Sequence, residues 1–420
     1  MLKKIIGTAG SRIIIALITF AIVVINARTL GKEGVGEIAL IVLGITIILL
    51  ISNFVGGGAL VYLIPRYDPF KLIVPSFTWA ILSSVVGAQL LSFFKLIPVE
   101  YTYHVMFLSL FQALGAVNLT FLLGKERIKQ YNLISVLQFV ALIATLVWLI
   151  YGMNRIEVMS YVYALYVAYI LTFIISFLAI RKFIKITNFD KFDEVLIQVF
   201  KYGSYVQLAN LLQLMNYRLG YYIIEKYLGK ASLGIFDVGN KVSEGLWLIG
   251  KSVAMVQYTK ISNNNIPDYA RDLTIRFLKF VFVITFFMLV MLLLLPDSFF
   301  MFVFGKDFTG LNKVVQSLAV GILSMSVSMI LSHFFSGTGR HYHNTISSGI
   351  GLVLTLIFGF TLIPHMGITG AGITASVSYF CSAVYQLIIF IRITKTGLAQ
   401  FLIRKEDVVF LKAELKKMFE

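Results

Sequence analysis

The 420-residue chain is 59% apolar and 13% charged. Soluble domains average about 45–50% apolar and about 25% charged residues, so this composition excludes a set of water-soluble domains and indicates a membrane protein. The single cysteine, Cys381, excludes an intramolecular disulfide and a cysteine-rich metal or iron–sulfur centre. The net charge of +16 has to be interpreted with the loops, because basic residues set membrane topology.

Apolar stretches long enough to cross ~30 Å of hydrocarbon, which takes about 20 residues, recur along the whole chain. We predict an all-α integral membrane protein with twelve transmembrane helices. The spans are 8–27, 37–63, 72–94, 104–123, 133–151, 158–180, 203–224, 235–258, 277–296, 314–336, 345–364 and 371–391.

The basic residues predict the orientation, because loops rich in Lys and Arg stay cytoplasmic. Of the 36 Lys and Arg residues, 25 fall on the two termini and one set of alternate loops, and eight fall on the other set. The remaining three, Arg218, Lys241 and Lys251, lie inside predicted spans. Both termini are therefore predicted to be cytoplasmic. The positive charge is explained by topology and by anionic membrane lipids, so nucleic acid is not expected as a partner.

An internal repeat suggests that the chain is duplicated. The segment LGKEGVGEIAL at 30–40 recurs as LGKASLGIFDV at 228–238, each time after the first helix of a six-helix half. Six spans return the chain to the same side, so the halves form parallel repeats with a cavity expected between them. The predicted domains are an N-terminal lobe at 1–185, a cytoplasmic linker at 186–200, a C-terminal lobe at 201–392 and a cytoplasmic tail at 393–420. The tail is either an amphipathic helix on the inner leaflet or a solvated helix.

Charged residues in the eighth span are the main functional signal. Asp237, Lys241, Glu244 and Lys251 follow one another at spacings of 4, 3 and 7, which places them on one face of a helix. A charge at the bilayer centre costs about 2.5–3.5 kcal/mol or more, so this face is expected to line a wet cavity. Lys241 is expected to pair with Asp237 and with Glu244.

Polar residues also follow one side of the first and seventh spans. Arg12, Thr19 and Asn26 are spaced by seven, and the seventh span carries Gln207, Asn210, Gln213 and Asn216 at every third position, with Arg218 near its end. Isolated amides elsewhere are expected to make interhelical hydrogen bonds; they are Asn53, Gln89, Gln112 and Gln138.

These patterns give two sets of candidate site residues. No Asp or Glu lies within one helical turn of Arg12, Arg218 or Lys251 in the sequence, so these three and Lys241 are predicted to contact an anion. Arg12 and Lys251 are alternatively explained by snorkelling to the inner headgroups. The residues predicted to line the cavity are Asn26, Asn210, Gln213, Asn216, Asp237 and Glu244.

Two apparent ligand motifs are rejected, and no cofactor or metal is expected. The segment 245–252, GLWLIGKS, fits G-x-x-x-x-G-K-[ST], but a phosphate loop needs free backbone amides between a strand and a helix, whereas this copy lies in an apolar helix. His341 and His343 share an inside loop without a third ligand or HExxH spacing for zinc.

The turns ARTLGKEGVG and YLGKASLG, with GITGAGIT at 367–374, resemble those of the polysaccharide, or O-antigen repeat-unit, flippases of the MATE-like superfamily. The resemblance spans the whole chain and implies two parallel six-helix lobes. Peptidoglycan-precursor flippases of the same superfamily typically carry fourteen helices, and this chain lacks the extra pair.

The resemblance implies a flippase, not an enzyme, for a polyprenyl-pyrophosphate-linked oligosaccharide in the cytoplasmic membrane of a bacterium or archaeon. It further implies a polysaccharide polymerase as a partner. With no credible nucleotide motif, turnover is expected to draw on an ion gradient, the membrane potential or consumption of the product. Asp237 and Glu244 either couple a cation or proton or only hold Lys241 in place. A drug/cation antiporter of the multidrug-exporter class is the first alternative, although it would favour an acidic, aromatic pocket. A membrane-embedded glycan polymerase is the second, although it would need a larger outside loop.

Overall fold

The computed structural model describes residues 2–64, 66–184, 192–262 and 266–402. Within these ranges the chain is helical and contains no strand. The α-helices are α1 (Leu2–Ser52), α2 (Gly57–Leu63), α3 (Pro69–Phe93), α4 (Thr102–Gly124), α5 (Ile128–Val147), α6 (Val158–Ile180), α7 (Phe192–Ser262), α8 (Pro267–Leu293), α9 (Asp297–Phe304), α10 (Leu311–Gly337) and α11 (Tyr342–Thr394).

Eight of the described helices are long and apolar enough to cross a membrane. They include α3 to α6, α8, α10, α11 and the part of α1 from Gly10 to Ser52. The prediction of an all-α membrane protein is therefore confirmed. Two predicted boundaries shift: α1 ends at Ser52 and α2 follows it, where one span was predicted at 37–63, and α8 begins ten residues before the span predicted at 277.

Three of the helices are interrupted by a glycine with a positive φ. Gly31 in α1 (φ 65°, ψ −174°), Gly229 in α7 (φ 79°, ψ 174°) and Gly367 in α11 (φ 62°, ψ −143°) have non-helical backbones. An uninterrupted helix of 51 residues, the length of α1, would be about 77 Å long, far more than the ~30 Å of a bilayer core. Each glycine thus marks a place where one crossing can end and another begin. Gly31 and Gly229 occupy the same position in the two copies of the repeated segment.

Hydrogen bonds across two of these glycines show that the chain reverses direction there. Tyr221 bonds to Asp237 across Gly229. Ser347 and Ser382 exchange two side-chain-to-carbonyl bonds of 3.1 and 3.0 Å across Gly367. The two parts of α7, and likewise those of α11, therefore lie side by side.

Contacts divide the chain into two compact units. Unit 1 contains residues 1–211 with 230–234 and 303–307, and unit 2 contains 212–229, 235–302 and 308–420. The largest core of unit 1 is built on Leu60, Leu63 and Phe121. The core of unit 2 is built on Ile330, Phe334 and Phe390, with the last two rings 4.8 Å apart at their centroids.

Buried amides and hydroxyls join neighbouring helices, as expected where no water is present to satisfy them. Gln138 lies 3.5 Å from Gln112 and 3.4 Å from the Thr172 hydroxyl, which confirms the interhelical bonding predicted for these two glutamines. Asn118 donates to Ser176 at 3.0 Å.

The positive φ at Gly229 predicts a measurable effect of adding a side chain there. No neighbouring atom would lie within 4 Å of a Cβ at Gly229, so Gly229→Ala should destabilise the fold only through backbone strain, by about 1–3 kcal/mol. The control is Gly349→Ala, whose Cβ is equally unobstructed but whose backbone is helical. The thermal midpoint of the purified protein should fall for Gly229→Ala and stay unchanged or rise for Gly349→Ala; equal midpoints would contradict the assignment.

Candidate functional site

The reversal of α7 at Gly229 builds a cluster of ionisable and polar side chains within unit 2. The first part of α7 contributes Arg218 and Tyr221, and the second part contributes Asp237, Asn240, Lys241 and Glu244. Tyr221 and Asp237 lie eight residues before and after Gly229, so an antiparallel pairing brings them to the same level. We call these six residues the α7 cluster.

An ion pair between Arg218 and Glu244 occupies one side of the cluster. Nη2 of Arg218 lies 2.8 Å from Oε1 of Glu244, and both side chains are partly exposed, at 22% and 29%. Nη1 of Arg218 donates to the Tyr221 hydroxyl, and the guanidinium lies over the Tyr221 ring at 4.9 Å from its centroid. Arg218 is thus held by a cation–π contact and a hydrogen bond in addition to its ion pair.

The Tyr221 hydroxyl is the centre of the cluster. It donates to Oδ1 of Asp237 at 2.9 Å and accepts from Arg218 and from Asn240 Nδ2, the latter at 3.3 Å. A hydroxyl has one donor and two acceptor positions, so all of its hydrogen-bonding capacity is used. Asn240 also donates to Oε1 of Glu244 at 2.9 Å, which closes a ring of contacts between the two parts of α7.

A second ion pair contains the most buried charged group of the cluster. Nζ of Lys241 is 2.6 Å from Oδ2 of Asp237, and the Asp237 side chain is only 3% exposed, whereas that of Lys241 is 33% exposed. This confirms the pairing predicted from the i,i+4 spacing. The pairing predicted between Lys241 and Glu244 is wrong, because Glu244 instead pairs with Arg218.

Aromatic residues of unit 2 adjoin the cluster along α7. The Tyr217 ring packs edge-on against Tyr379 at 5.3 Å, and Trp247 packs against Tyr379 at 6.1 Å. The Tyr217 hydroxyl accepts from the predicted lining residue Gln213 at 2.8 Å. Gln213 is exposed, so this aromatic group has an open side.

The other predicted site residues lie apart from the cluster. Asn216 is buried and accepts from Thr355 at 3.0 Å and Ser378 at 2.7 Å, so its carbonyl joins α7 to both parts of α11. Lys251 is exposed, on the same helix as Glu244. Asn216 therefore holds helices together, whereas the side chain of Lys251 is open to its surroundings.

Three predicted residues belong to unit 1. Arg12 is exposed. Asn26 is buried, and its Oδ1 has no hydrogen-bond partner among the described residues. Asn210 is exposed and donates to Gln207 at 3.1 Å.

Sequence reasoning missed Tyr221, Asn240 and the partner of Arg218. Arg218 and Glu244 are 26 residues apart, beyond the reach of any periodicity within one helix. The repeated glycine turn could have predicted these contacts. If the chain reverses at Gly229, residues at similar sequence distances before and after Gly229 come to lie side by side.

Comparison with known proteins places the chain in a family. A family model described as "Polysaccharide biosynthesis protein" matches residues 25–313, more than half of the chain. The chain belongs to this polysaccharide biosynthesis family. The family resemblance predicted from the glycine turns is thereby confirmed.

Relatives of the chain include two with partial matches. The capsular polysaccharide biosynthesis protein CapF of Staphylococcus aureus is 26% identical over 200 residues, which are 47% of this chain and 50% of CapF. An uncharacterized membrane protein of Methanocaldococcus jannaschii, MJ1068, is 29% identical over 92 residues, 22% of this chain and 18% of that protein. The matched part thus spans half or less of each relative.

Similar solved structures establish the fold class. The lipid II flippase MurJ in an inward closed conformation has a TM-score of 0.73 at 18% identity, with 96% of this chain and 89% of MurJ covered. An inward-facing multidrug resistance MATE family transporter has a TM-score of 0.71 at 15% identity, with coverages of 91% and 94%. The protein is a multi-pass membrane protein with the MATE-like fold.

The central position of the Tyr221 hydroxyl predicts a large effect of its removal. Tyr221→Phe leaves Asp237 Oδ1 without its donor, and a buried polar group deprived of its partner costs about 1–3 kcal/mol. Its neighbour Tyr222 is a matched control, because its buried hydroxyl has no hydrogen-bond partner among the described residues. Thermal unfolding should show a lower midpoint for Tyr221→Phe and no loss for Tyr222→Phe; a similar loss in both would show that the hydroxyl network is not stabilising.

Proposed function

We propose that the protein is a flippase, not an enzyme, and that it moves a polyprenyl-pyrophosphate-linked oligosaccharide from the inner to the outer leaflet by alternating access. The substrate is a repeat unit of O-antigen or another surface polysaccharide. Membership of the polysaccharide biosynthesis family and the likeness in fold to a lipid II flippase support this proposal. The relative CapF, a capsular polysaccharide biosynthesis protein by name, supports the substrate class.

The chemistry of such a substrate explains why charged residues lie within a long helix of a membrane protein. The polyprenyl tail is soluble in hydrocarbon, whereas the pyrophosphate and the sugars are not, so they need polar contacts while they cross. The proposal depends most on Arg218. Its guanidinium is held in place by Tyr221, and its side chain is still 22% exposed. Arginine suits phosphate because its planar fork can donate two parallel hydrogen bonds.

The remaining site residues keep their proposed roles. Arg12, Lys241 and Lys251 join Arg218 as anion contacts, and the lining residues are Asn26, Asn210, Gln213, Asn216, Asp237 and Glu244. With no credible nucleotide motif in the sequence, turnover is proposed to draw on an ion gradient or the membrane potential. Asp237 and Glu244 are the proposed carboxylates for coupling to a cation or proton, and a polysaccharide polymerase is the proposed partner that uses the product.

The proposed topology has twelve spans in two parallel six-helix lobes, with both termini on the cytoplasmic side of the inner membrane of a bacterium or archaeon. Division of α1, α7 and α11 at their glycines supports this count. The proposed lobes are 1–185 and 201–392, joined by a linker at 186–200 and followed by a tail at 393–420. Residue 185 of the first lobe, residues 186–191 of the linker and residues 403–420 of the tail lie outside the described ranges.

Reporter fusions test this topology. A periplasmic alkaline phosphatase inserted in the segment between α9 and α10, at Lys306, should be active, because this loop is predicted to lie outside. Green fluorescent protein inserted between α10 and α11, at Arg340, should fluoresce in the cytoplasm. The reverse pattern would contradict the orientation assigned from the basic loops, and activity of both reporters at one site would contradict the span count.

The runner-up function is that of a drug/cation antiporter. Two carboxylates and the rings of Tyr217, Tyr379 and Trp247 adjoin in unit 2, a combination that suits an organic cation. The family match favours the flippase. Resistance to ethidium conferred on a drug-sensitive host, with no effect on surface polysaccharide, would favour the antiporter.

The flippase proposal predicts that Arg218 is required for polysaccharide export. In a host that lacks its own flippase, Arg218→Gln should lower surface polysaccharide by ~10-fold or more, the effect of losing at least about 1.4 kcal/mol of interaction. The matched control is Lys226→Gln, which removes a charge from the exposed side of the same helix and should have no effect.

Protein levels in the membrane have to be compared for each variant. The double variant Arg218→Gln/Glu244→Gln removes both members of the ion pair, so it separates a loss of function from a defect caused by an uncompensated Glu244. Normal surface polysaccharide in both the single and the double variant would contradict the assignment of Arg218 to the substrate site.

A further inference from the structure

The two ion pairs of the α7 cluster differ in a way that bears on ligand binding. Asp237 is 3% exposed and Lys241 is 33% exposed, so the carboxylate of that pair is shielded from a ligand as large as a phosphate. Both members of the Arg218–Glu244 pair are instead reachable, at 22% and 29%. A ligand that enters the cluster can therefore compete for Arg218 without disturbing Asp237.

The position of Arg218 does not depend on Glu244. Its guanidinium is held over the Tyr221 ring and donates to the Tyr221 hydroxyl. That hydroxyl is fixed in turn by Asp237 and Asn240. If Glu244 moved away, Arg218 would remain in place with Nη2 open to another acceptor.

Glu244 binds Arg218 through a single oxygen. Oε1 accepts from Arg218 and from Asn240, whereas Oε2 contacts no donor among the described residues. Bidentate pairs of arginine with carboxylate or phosphate are stronger than such a single contact. A phosphate group can offer several oxygens and more than one negative charge, so it has the means to displace Glu244.

The geometry points to Glu244 as a displaceable counter-anion that sets how strongly an anion must bind to occupy Arg218. In the unliganded protein Glu244 neutralises Arg218. Breaking this pair costs the same for every anion, so Glu244 lowers the affinity of all of them. A multiply charged phosphate gains more Coulomb energy from Arg218 than a singly charged anion does, so it can meet this cost where a weaker ligand cannot. This inference rests on the proposed function, in which the cluster receives the pyrophosphate of the substrate.

Binding measurements on the purified full-length protein test the inference without transport. The probes are inorganic pyrophosphate and dimethyl phosphate, which share phosphate oxygens but differ in charge, and titration calorimetry gives a Kd for each. Wild-type protein should strongly prefer pyrophosphate. Glu244→Gln keeps the size of the side chain and removes the competing charge, so it should lower the Kd of both probes by ~10-fold or more, a factor that corresponds to about 1.4 kcal/mol.

Three further variants make the test specific. Arg218→Gln should abolish binding of both probes, and Glu225→Gln, the same change on the same helix outside the cluster, should leave both Kd values unchanged. Glu244→Asp retains the charge on a shorter side chain, so its Kd values should lie between those of the wild type and of Glu244→Gln; it also serves if Glu244→Gln does not fold. Unchanged or weaker binding of either probe in folded Glu244→Gln would overturn the inference.

These results are distinguishable from a failure of the proposed function. If Glu244→Gln tightens binding as expected while Arg218→Gln exports polysaccharide normally, Glu244 competes with anions for Arg218 but the cluster is not the substrate site for export. If Arg218→Gln abolishes export while Glu244→Gln binds both probes as the wild type does, the substrate site stands and the role given to Glu244 is wrong.

Discussion

The structure of the α7 cluster depends on the need to compensate charge inside a helix of a membrane protein. Arg218 and Lys241 carry two positive charges, and Asp237 and Glu244 carry two negative charges. The cluster is therefore neutral as a whole, although each group alone would be costly in hydrocarbon. Neutrality lowers the free-energy cost of inserting the cluster into the membrane. It also means that an anion can bind Arg218 or Lys241 only when the carboxylate paired with that residue moves away.

The backbone break at Gly229 makes this compensation possible. Within one helix, only residues three or four positions apart face each other closely, which accounts for the Asp237–Lys241 pair and for the bond from Asn240 to Glu244. The contacts of Arg218 with Glu244 and of Tyr221 with Asp237 require the second part of α7 to return beside the first. The chain can return in this way because Gly229 has no side chain and adopts a positive φ at little steric cost.

The sequence could predict contacts between residues a few positions apart in one helix, but not contacts between residues on different helices. Hydropathy and the repeated glycine turns predicted the fold class, and helical periodicity predicted the Asp237–Lys241 pair. The Arg218–Glu244 pair escaped, because a residue's neighbours on an adjacent helix depend on the helix register, which short-range spacing does not contain. The contacts of Asn216 with Thr355 and Ser378 escaped for the same reason, because they depend on the placement of α11.

The duplication gives an independent reason to regard the cluster as functional. At the repeat offset of 198 residues, Arg218, Tyr221, Asp237, Asn240 and Lys241 correspond to Phe20, Val23, Ala39, Val42 and Leu43, which are all apolar. The first copy nevertheless forms the same kind of glycine-broken helix around Gly31. The sixth residue, Glu244, corresponds to Thr46. Because the glycine-broken helix forms without the other five polar side chains in the first copy, the break does not require them in the second. Buried ion pairs are often no more stable than apolar residues of similar volume, so the presence of these five polar residues supports the proposal that the cluster binds a ligand.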